Sequence, residues 1–138
     1  MISTRGRYAL RVMADLAGHD GDGYVPLRDI AARQGISKKY MESIVHDLSE
    51  GGLVTGISGK HGGYRLTRRP EDCTILEILT LTEGSLSAVA CLQPGAAPCP
   101  RASECSTLSL WTEFDRLTHD FFAARHLSDI ARSPSSLP

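Results

Sequence analysis

The four residues Gln34-Gly35-Ile36-Ser37 constrain this chain more than any other stretch. Before them, Leu27 to Gln34 reads as a short helix with Ile30 and Ala31 turned inward. After them, Met41, Ile44, Val45 and Leu48 recur at three- and four-residue steps, the stripe of a helix that buries one face. Gly35 readily takes the left-handed conformation that closes a helix, because it has no Cβ. Ile36 is apolar enough to enter a core, and the Ser37 hydroxyl can accept an unpaired first-turn N–H of the next helix. Two amphipathic helices joined by so tight a turn are the parts of a helix-turn-helix.

The flanking sequence extends this unit on both sides. Ser3 can cap a first helix, along which Tyr8, Ala9, Val12, Met13, Leu16 and Ala17 form an apolar face until Gly18 and the glycines at 21 and 23 end it. Gly51 and Gly52 stop the third helix, and the pattern then changes period. Leu53 to Ile57 and Tyr64 to Thr67 read as two short strands, joined by the glycine-rich, basic segment Ser58 to Gly63. Thr74 and Glu77 have capping-box spacing and open a short helix carrying Ile75, Ile78 and Leu79. Residues 91–105 contain three prolines and little periodicity, as an irregular loop does. A long helix follows, from about Ser106 to Arg125, whose apolar face of Leu110, Trp111, Phe114, Leu117, Phe121 and Phe122 is wider than one neighbouring helix would cover.

The expected fold is therefore mainly α with a small β-hairpin wing: a winged helix-turn-helix plus a long C-terminal dimerisation helix. In segments, 1–72 is the winged helix-turn-helix, 73–90 a connecting helix, 91–105 a cysteine loop, 106–130 the dimerisation helix and 131–138 a flexible tail.

Charge is divided between the two halves. Residues 1–70 carry 11 Lys+Arg against 7 Asp+Glu, whereas residues 71–138 carry 4 against 9, within a net charge of −1. Such a chain can engage a polyanion with one end only. No run approaches the roughly 18–20 apolar residues that span a bilayer. With no signal-peptide pattern at the N-terminus, the expected setting is cytoplasmic, without a membrane partner. No nucleophile–base constellation or phosphate-cradling glycine loop suggests an enzyme.

In a winged helix-turn-helix the third helix enters the major groove of double-stranded DNA with its N-terminal residues leading. Here those are Ser37, Lys38, Lys39, Tyr40, Glu42 and Ser43, with His46 one turn further on. Lysines and hydroxyls grip phosphates, and a carboxylate in the groove can accept a hydrogen bond from cytosine N4. Taken alone, the same residues would also suit the solvated face of an amphipathic helix. The hairpin tips the balance, since Lys60 and His61 lie at its tip and Arg65, Arg68 and Arg69 flank its return strand.

Of the four cysteines, Cys91, Cys99 and Cys105 fall within residues 91–105, while Cys73 stands apart before a helix, where a core position suits it. In a reducing compartment, clustered cysteines more often bind metal or do redox chemistry than form structural disulfides. Iron–sulfur ligation, zinc binding and thiol redox sensing all remain open from spacing alone.

The runs STRGRYALRVMADLA, ISKKYMESIVHDLSEGGLV and GKHGGYRL, with the tail LTEGSLSAVAC through STLSLW, resemble the Rrf2 family of bacterial transcription regulators over residues 2 to about 130. The resemblance implies a homodimer in which the helix around Trp111 to Phe122 crosses its partner, with Leu110, Trp111, Phe114, Leu117 and Phe121 at the interface. It also implies binding to a pseudo-palindromic operator. Glu42 matches a position whose carboxylate reads a base, whereas Ser58 stands where some members have a wing arginine. Cys91, Cys99 and Cys105 look like the three-cysteine loop of the IscR/NsrR-type branch, which implies a 2Fe–2S or 4Fe–4S cluster. The fourth ligand departs from that branch: Leu108 stands where IscR-like members have histidine, and Arg7 where NsrR-like members have aspartate. Glu104, Glu113, a water or a small thiol are the candidates for that place. A cluster-free thiol-redox or protein-partnered regulator of the same fold is the alternative.

Overall fold

A computed structural model describes residues 2–131. In chain order it contains α1 (Thr4–Gly18), α2 (Leu27–Gln34), α3 (Lys38–Glu50), β1 (Val54–Ile57), β2 (Gly63–Leu66), α4 (Ile75–Glu83), α5 (Leu108–Ala123) and α6 (Leu127–Ile130). The helix ends form by the side-chain chemistry expected of them. The Ser3 hydroxyl accepts the Gly6 N–H at 3.1 Å, and the Ser37 hydroxyl accepts the Tyr40 N–H at 3.2 Å. Gly35 closes α2 at φ 66°. Thr74 and Glu77 complete a reciprocal capping box at the start of α4.

The hairpin is antiparallel, with Val54 opposite Leu66 and Ile57 opposite Gly63. Its strands run Val54–Ile57 and Gly63–Leu66, close to but not identical with the expected Leu53–Ile57 and Tyr64–Thr67. The shift follows from a third partner. Val25 pairs with Tyr64 through two backbone hydrogen bonds of 2.8 and 2.9 Å, which draws Gly63 into the ladder. Gly63 sits at φ 152° with the Val25 carbonyl where a Cβ would project, so only glycine fits. The wing is thereby fastened to the segment that leads into α2.

One continuous core holds Ala9, Val12, Met13 and Leu16 of α1, Ile30 of α2, Met41, Ile44, Val45 and Leu48 of α3, Leu53 and Val54 of the wing, and Ile75, Ile78 and Leu79 of α4. Cys73 is buried there too. Because α4 packs into the same core, it belongs to the same folded unit as α1, α2, α3 and the wing.

The long helix expected at about Ser106 to Arg125 is α5, and the segment 106–130 assigned to dimerisation also contains the separate short helix α6. After α5 ends at Ala123, the backbone of Arg125 and Leu127 pairs with Ile75 and Cys73 (2.9 and 2.8 Å), turning the chain back toward α1. His126 then caps α6, and Leu127 is fully buried in the core. Burial of this leucine and the bridge to Thr74 outweigh continuation of the helix. Residues 132–138, on which most of the expected tail falls, lie outside the described residues. No helix among the described residues is long and apolar enough to cross a membrane.

Polar contacts fix α1 against its neighbours. Asp15, buried on α1, accepts hydrogen bonds from Arg33 Nε and Nη2 at 2.9 and 2.7 Å and from Gln34 Nε2 at 2.8 Å. Burial alone would push this carboxyl up, but the hydrogen bonds from Arg33 and Gln34 and the Arg33 and His19 charges hold it below the ordinary carboxylate range. At the other end of α1, Arg5 donates to the Ser43 carbonyl and to the Asp47 carboxylate. The first contact ties α1 to α2, and the second ties α1 to α3.

Candidate nucleic-acid interface

The buried stripe of α3 faces α1, which leaves Lys38, Lys39, Glu42, Ser43 and His46 exposed on its outer side. Ser37 is also exposed, but its hydroxyl is engaged in capping the helix. Among the described residues Glu42 makes no side-chain hydrogen bond or ion pair, so its carboxylate stays available to a ligand. Two of the expected residues are partly committed within the fold. Tyr40 is half-buried and packs edge-on against Tyr8 at a centroid distance of 5.8 Å, turned toward α1 rather than fully outward. The Ser43 hydroxyl accepts from Arg5 at 3.1 Å.

Lys60 and His61 stand exposed at the wing tip as expected. The arginines of the return strand contribute less to a basic wing than their number suggests. Arg65 lies over the Tyr24 ring at 4.8 Å. Arg68 pairs with Glu77 at 3.0 Å, and Arg69 with Glu71 and Asp72 at 3.1 and 3.2 Å. These charges balance acidic neighbours that the sequence places far away or around a turn.

Between α3 and the wing lies a crevice of about 230 Å³ whose lining includes Lys38, Lys60, Ile57, Tyr64 and Arg28. The fold thus brings the first turn of α3 and the wing tip to one rim. Arg28 has no counterpart among the residues expected from the sequence. Its position two residues after Pro26, in the first turn of α2, is the available signal, and only the Val25–Tyr64 pairing sets it beside the wing.

The cysteine loop lies apart from this surface in sequence and is built from successive local turns, with a short 3₁₀ turn at Ala90–Leu92. Cys91, Cys99 and Cys105 are all exposed free thiols. Among the described residues no group of three or more His, Cys, Asp or Glu side chains is gathered as a metal site. Cys105 precedes α5, where the Thr107 hydroxyl (3.5 Å from Sγ) and then the Thr107 and Leu108 backbone amides hold its thiol below the usual range. That shift favours the thiolate, which is the form that ligates metal or attacks an oxidant. Of the two carboxylates considered as a fourth ligand, Glu113 lines the same surface depression as Cys105.

Among the described residues, none of α5 is fully buried. Leu110, Phe114, Leu117 and Phe121 lie at steps of four, three and four and are each about half exposed, between 49% and 57%. Trp111 is half-buried and packs edge-on against Phe114 at 6.4 Å. This spacing is the seam of a helix that packs along another helix.

Comparison with known proteins agrees with this architecture. The family model described as "Rrf2: Iron-dependent Transcriptional regulator" matches residues 2–133. The transcriptional regulator IscR of Aliivibrio salmonicida is 33% identical over 129 residues, covering 94% of this chain and 76% of that protein. The structure of CymR, the global cysteine regulator of B. subtilis, superposes with a TM-score of 0.77 at 33% identity and 95% coverage of both chains. That of T. potens IscR gives 0.78 at 31% identity, covering all of this chain and 92% of the other. The chain belongs to the Rrf2 family and is a transcriptional regulator, not an enzyme.

Proposed function

We propose that this regulator acts as a cytoplasmic homodimer that binds a pseudo-palindromic operator in double-stranded DNA, under the control of an iron–sulfur cluster on the Cys91, Cys99 and Cys105 loop. The observation that carries the proposal is the pairing of two surfaces on one rigid unit. The polar face of α3 stands clear beside the wing, and the apolar seam of α5 is left half exposed by the other described residues. A second copy on that seam would present two recognition helices related by a two-fold axis, which is the geometry that palindromic half-sites require. Lys38, Lys39 and the wing tip would hold phosphates, and Glu42 would accept from a base edge.

The donor set fits an iron–sulfur cluster in kind: three accessible thiols, one of them biased toward the thiolate, on a segment without regular structure to resist closing. Cys91, Cys99 and Cys105 would hold it, with Glu113 the better placed protein carboxylate for the remaining position. A bound cluster would supply a redox- and ligand-sensitive centre. By linkage, whatever free energy the closed loop gains in one dimer arrangement appears equally in operator affinity.

Anaerobic purification, followed by an absorption spectrum with iron and sulfide analysis, tests the cofactor. Colourless, iron-free protein after anaerobic reconstitution would end that part of the reading. Glu42→Ala tests the DNA contact and is expected to relax base preference in a binding selection. An unchanged preference would remove Glu42 from that role.

The lowered thiol of Cys105 also supports a second reading, a cluster-free regulator that responds to thiol oxidation or to a protein partner. Oxidant-sensitive, iron-independent operator binding that disappears in Cys105→Ser would favour it.

A further inference from the structure

We propose that the crevice between α2, α3 and the wing is a seat for one phosphodiester group of the DNA backbone, with Arg28 its third cation. The inference rests on the DNA-binding reading above and adds a contact from α2 to it. Three positive side chains from three different elements line the crevice: Arg28 from α2, Lys38 from the first turn of α3, and Lys60 from the wing tip. The elements cannot drift apart freely. The Val25–Tyr64 pairing ties the wing to the residues just before α2, and Gly63 packs its backbone against the Val25 carbonyl with no room for a side chain. The Gly35 turn and the Asp15–Arg33–Gln34 contacts hold α2 against α1 and α3.

Charge balance within the crevice favours an anion. The nearest carboxylate to Arg28 is Asp29, whose Oδ1 lies 3.9 Å from Nε, at the outer limit of an ion pair between exposed groups. The Arg28 side chain is 80% exposed, so it is free to turn inward. Among the described residues, none that lines the crevice is acidic. The α2 N-terminus adds to the positive field, since its N-cap Pro26 provides no side-chain acceptor for the first-turn amides. A guanidinium and two ammonium groups around one crevice suit a phosphate oxygen pair better than a base edge, because Arg binds phosphate in bidentate fashion while Lys acts as a point charge. The crevice also opens on the rim where α3 and the wing tip meet, which is where a groove wall would run if α3 lay in the major groove.

The test is a salt titration of binding to a labelled duplex of random sequence, with wild-type protein and the Arg28→Ala, Arg28→Lys, Lys38→Ala and Lys60→Ala variants. Removing one cation that neutralises a phosphate is expected to lower the slope of log affinity against log salt by about one. Arg28→Ala should show that reduction, with affinity down on the order of tenfold, and Arg28→Lys should recover most of the slope. Arg28 is a surface side chain, so these variants are expected to keep the wild-type melting curve. If Lys38→Ala and Lys60→Ala lower the slope while Arg28→Ala does not, the crevice assignment is wrong and the DNA reading stands. If none of the variants changes the slope, both fail. Saturable binding of inorganic phosphate at low millimolar concentration, seen in the Arg28 side-chain resonance, together with an unchanged salt slope in Arg28→Ala, would identify a small-anion site that DNA does not use and overturn the assignment.

Discussion

Replacing Gly6 by alanine should destabilise the protein, although alanine is the better helix former. The reason is Glu83, the last residue of α4, whose Oε1 accepts both the Ser3 N–H at 3.0 Å and the Ser3 hydroxyl at 2.7 Å. The carboxylate therefore sits over the first turn of α1, in the space that a side chain at residue 6 would occupy. A Cβ there would lie within hard contact of Oε1, 3.1 Å from Cδ and 3.3 Å from Ile2 Cγ2. The Glu83 side chain can swing away, but both hydrogen bonds then break and a favourable charge leaves the helix N-terminus. For partly solvated groups this costs about 2 kcal/mol. Alanine returns about 0.5–1 kcal/mol of helix propensity in the first turn. The expected net effect is about 1–1.5 kcal/mol of destabilisation, a fall of roughly half a molar in the urea midpoint at fixed protein concentration and unchanged m. The same substitution in a Glu83→Ala background should instead stabilise by about 0.5 kcal/mol, because the obstacle is gone. The change of sign across the cycle is the diagnostic, with a coupling of about 2 kcal/mol. Equal stabilisation in both backgrounds would show that the Glu83 seat contributes nothing and that the steric reasoning is wrong.

Three further outcomes are expected. Leu127→Ala should cost about 2–5 kcal/mol in a chemical denaturation, the value for a fully buried leucine; a change within experimental error would place Leu127 outside the core. The depressed Asp15 carboxyl contributes stability that is complete above its unfolded value near pH 4 and is lost as pH falls through its lower folded value. Urea midpoints should therefore decline more steeply on acidification in wild type than in Asp15→Asn, and parallel profiles would refute the role of Arg33 and Gln34. For the homodimer proposed above, charging the α5 seam with Phe114→Glu and Leu117→Glu should halve the sedimentation mass while preserving the far-ultraviolet spectrum. An unaltered mass would mean that the α5 seam does not carry the proposed interface.

The helices and their caps are legible in the sequence because the signals are local. Ser3, Gly35, Ser37 and the Thr74–Glu77 pair act on backbone groups within a few residues, and the apolar stripes of α1 and α3 repeat every turn. The polar face of α3 follows directly, since a buried stripe dictates which residues are left outside. The wing arginines are harder to read. Arg68 and Arg69 look like a basic patch in the linear sequence, but three-dimensional pairing with Glu77, Glu71 and Asp72 compensates much of their charge. Arg28 is inconspicuous for the converse reason, because a lone cation on a short helix acquires meaning only when other cations are placed around it.

The amino-acid sequence alone therefore determined the order of elements, the turn between α2 and α3, and the residue types that face outward from α3. Each of these depends on free-energy differences decided within one or two turns of chain. Tertiary structure decided that α5 stops so that Leu127 can enter the core, that Glu83 occupies the space above Gly6, and that Arg28 joins Lys38 and Lys60 at one rim. These contacts join residues up to about a hundred positions apart, and their energies exist only after the chain has closed those loops. No local pattern records them.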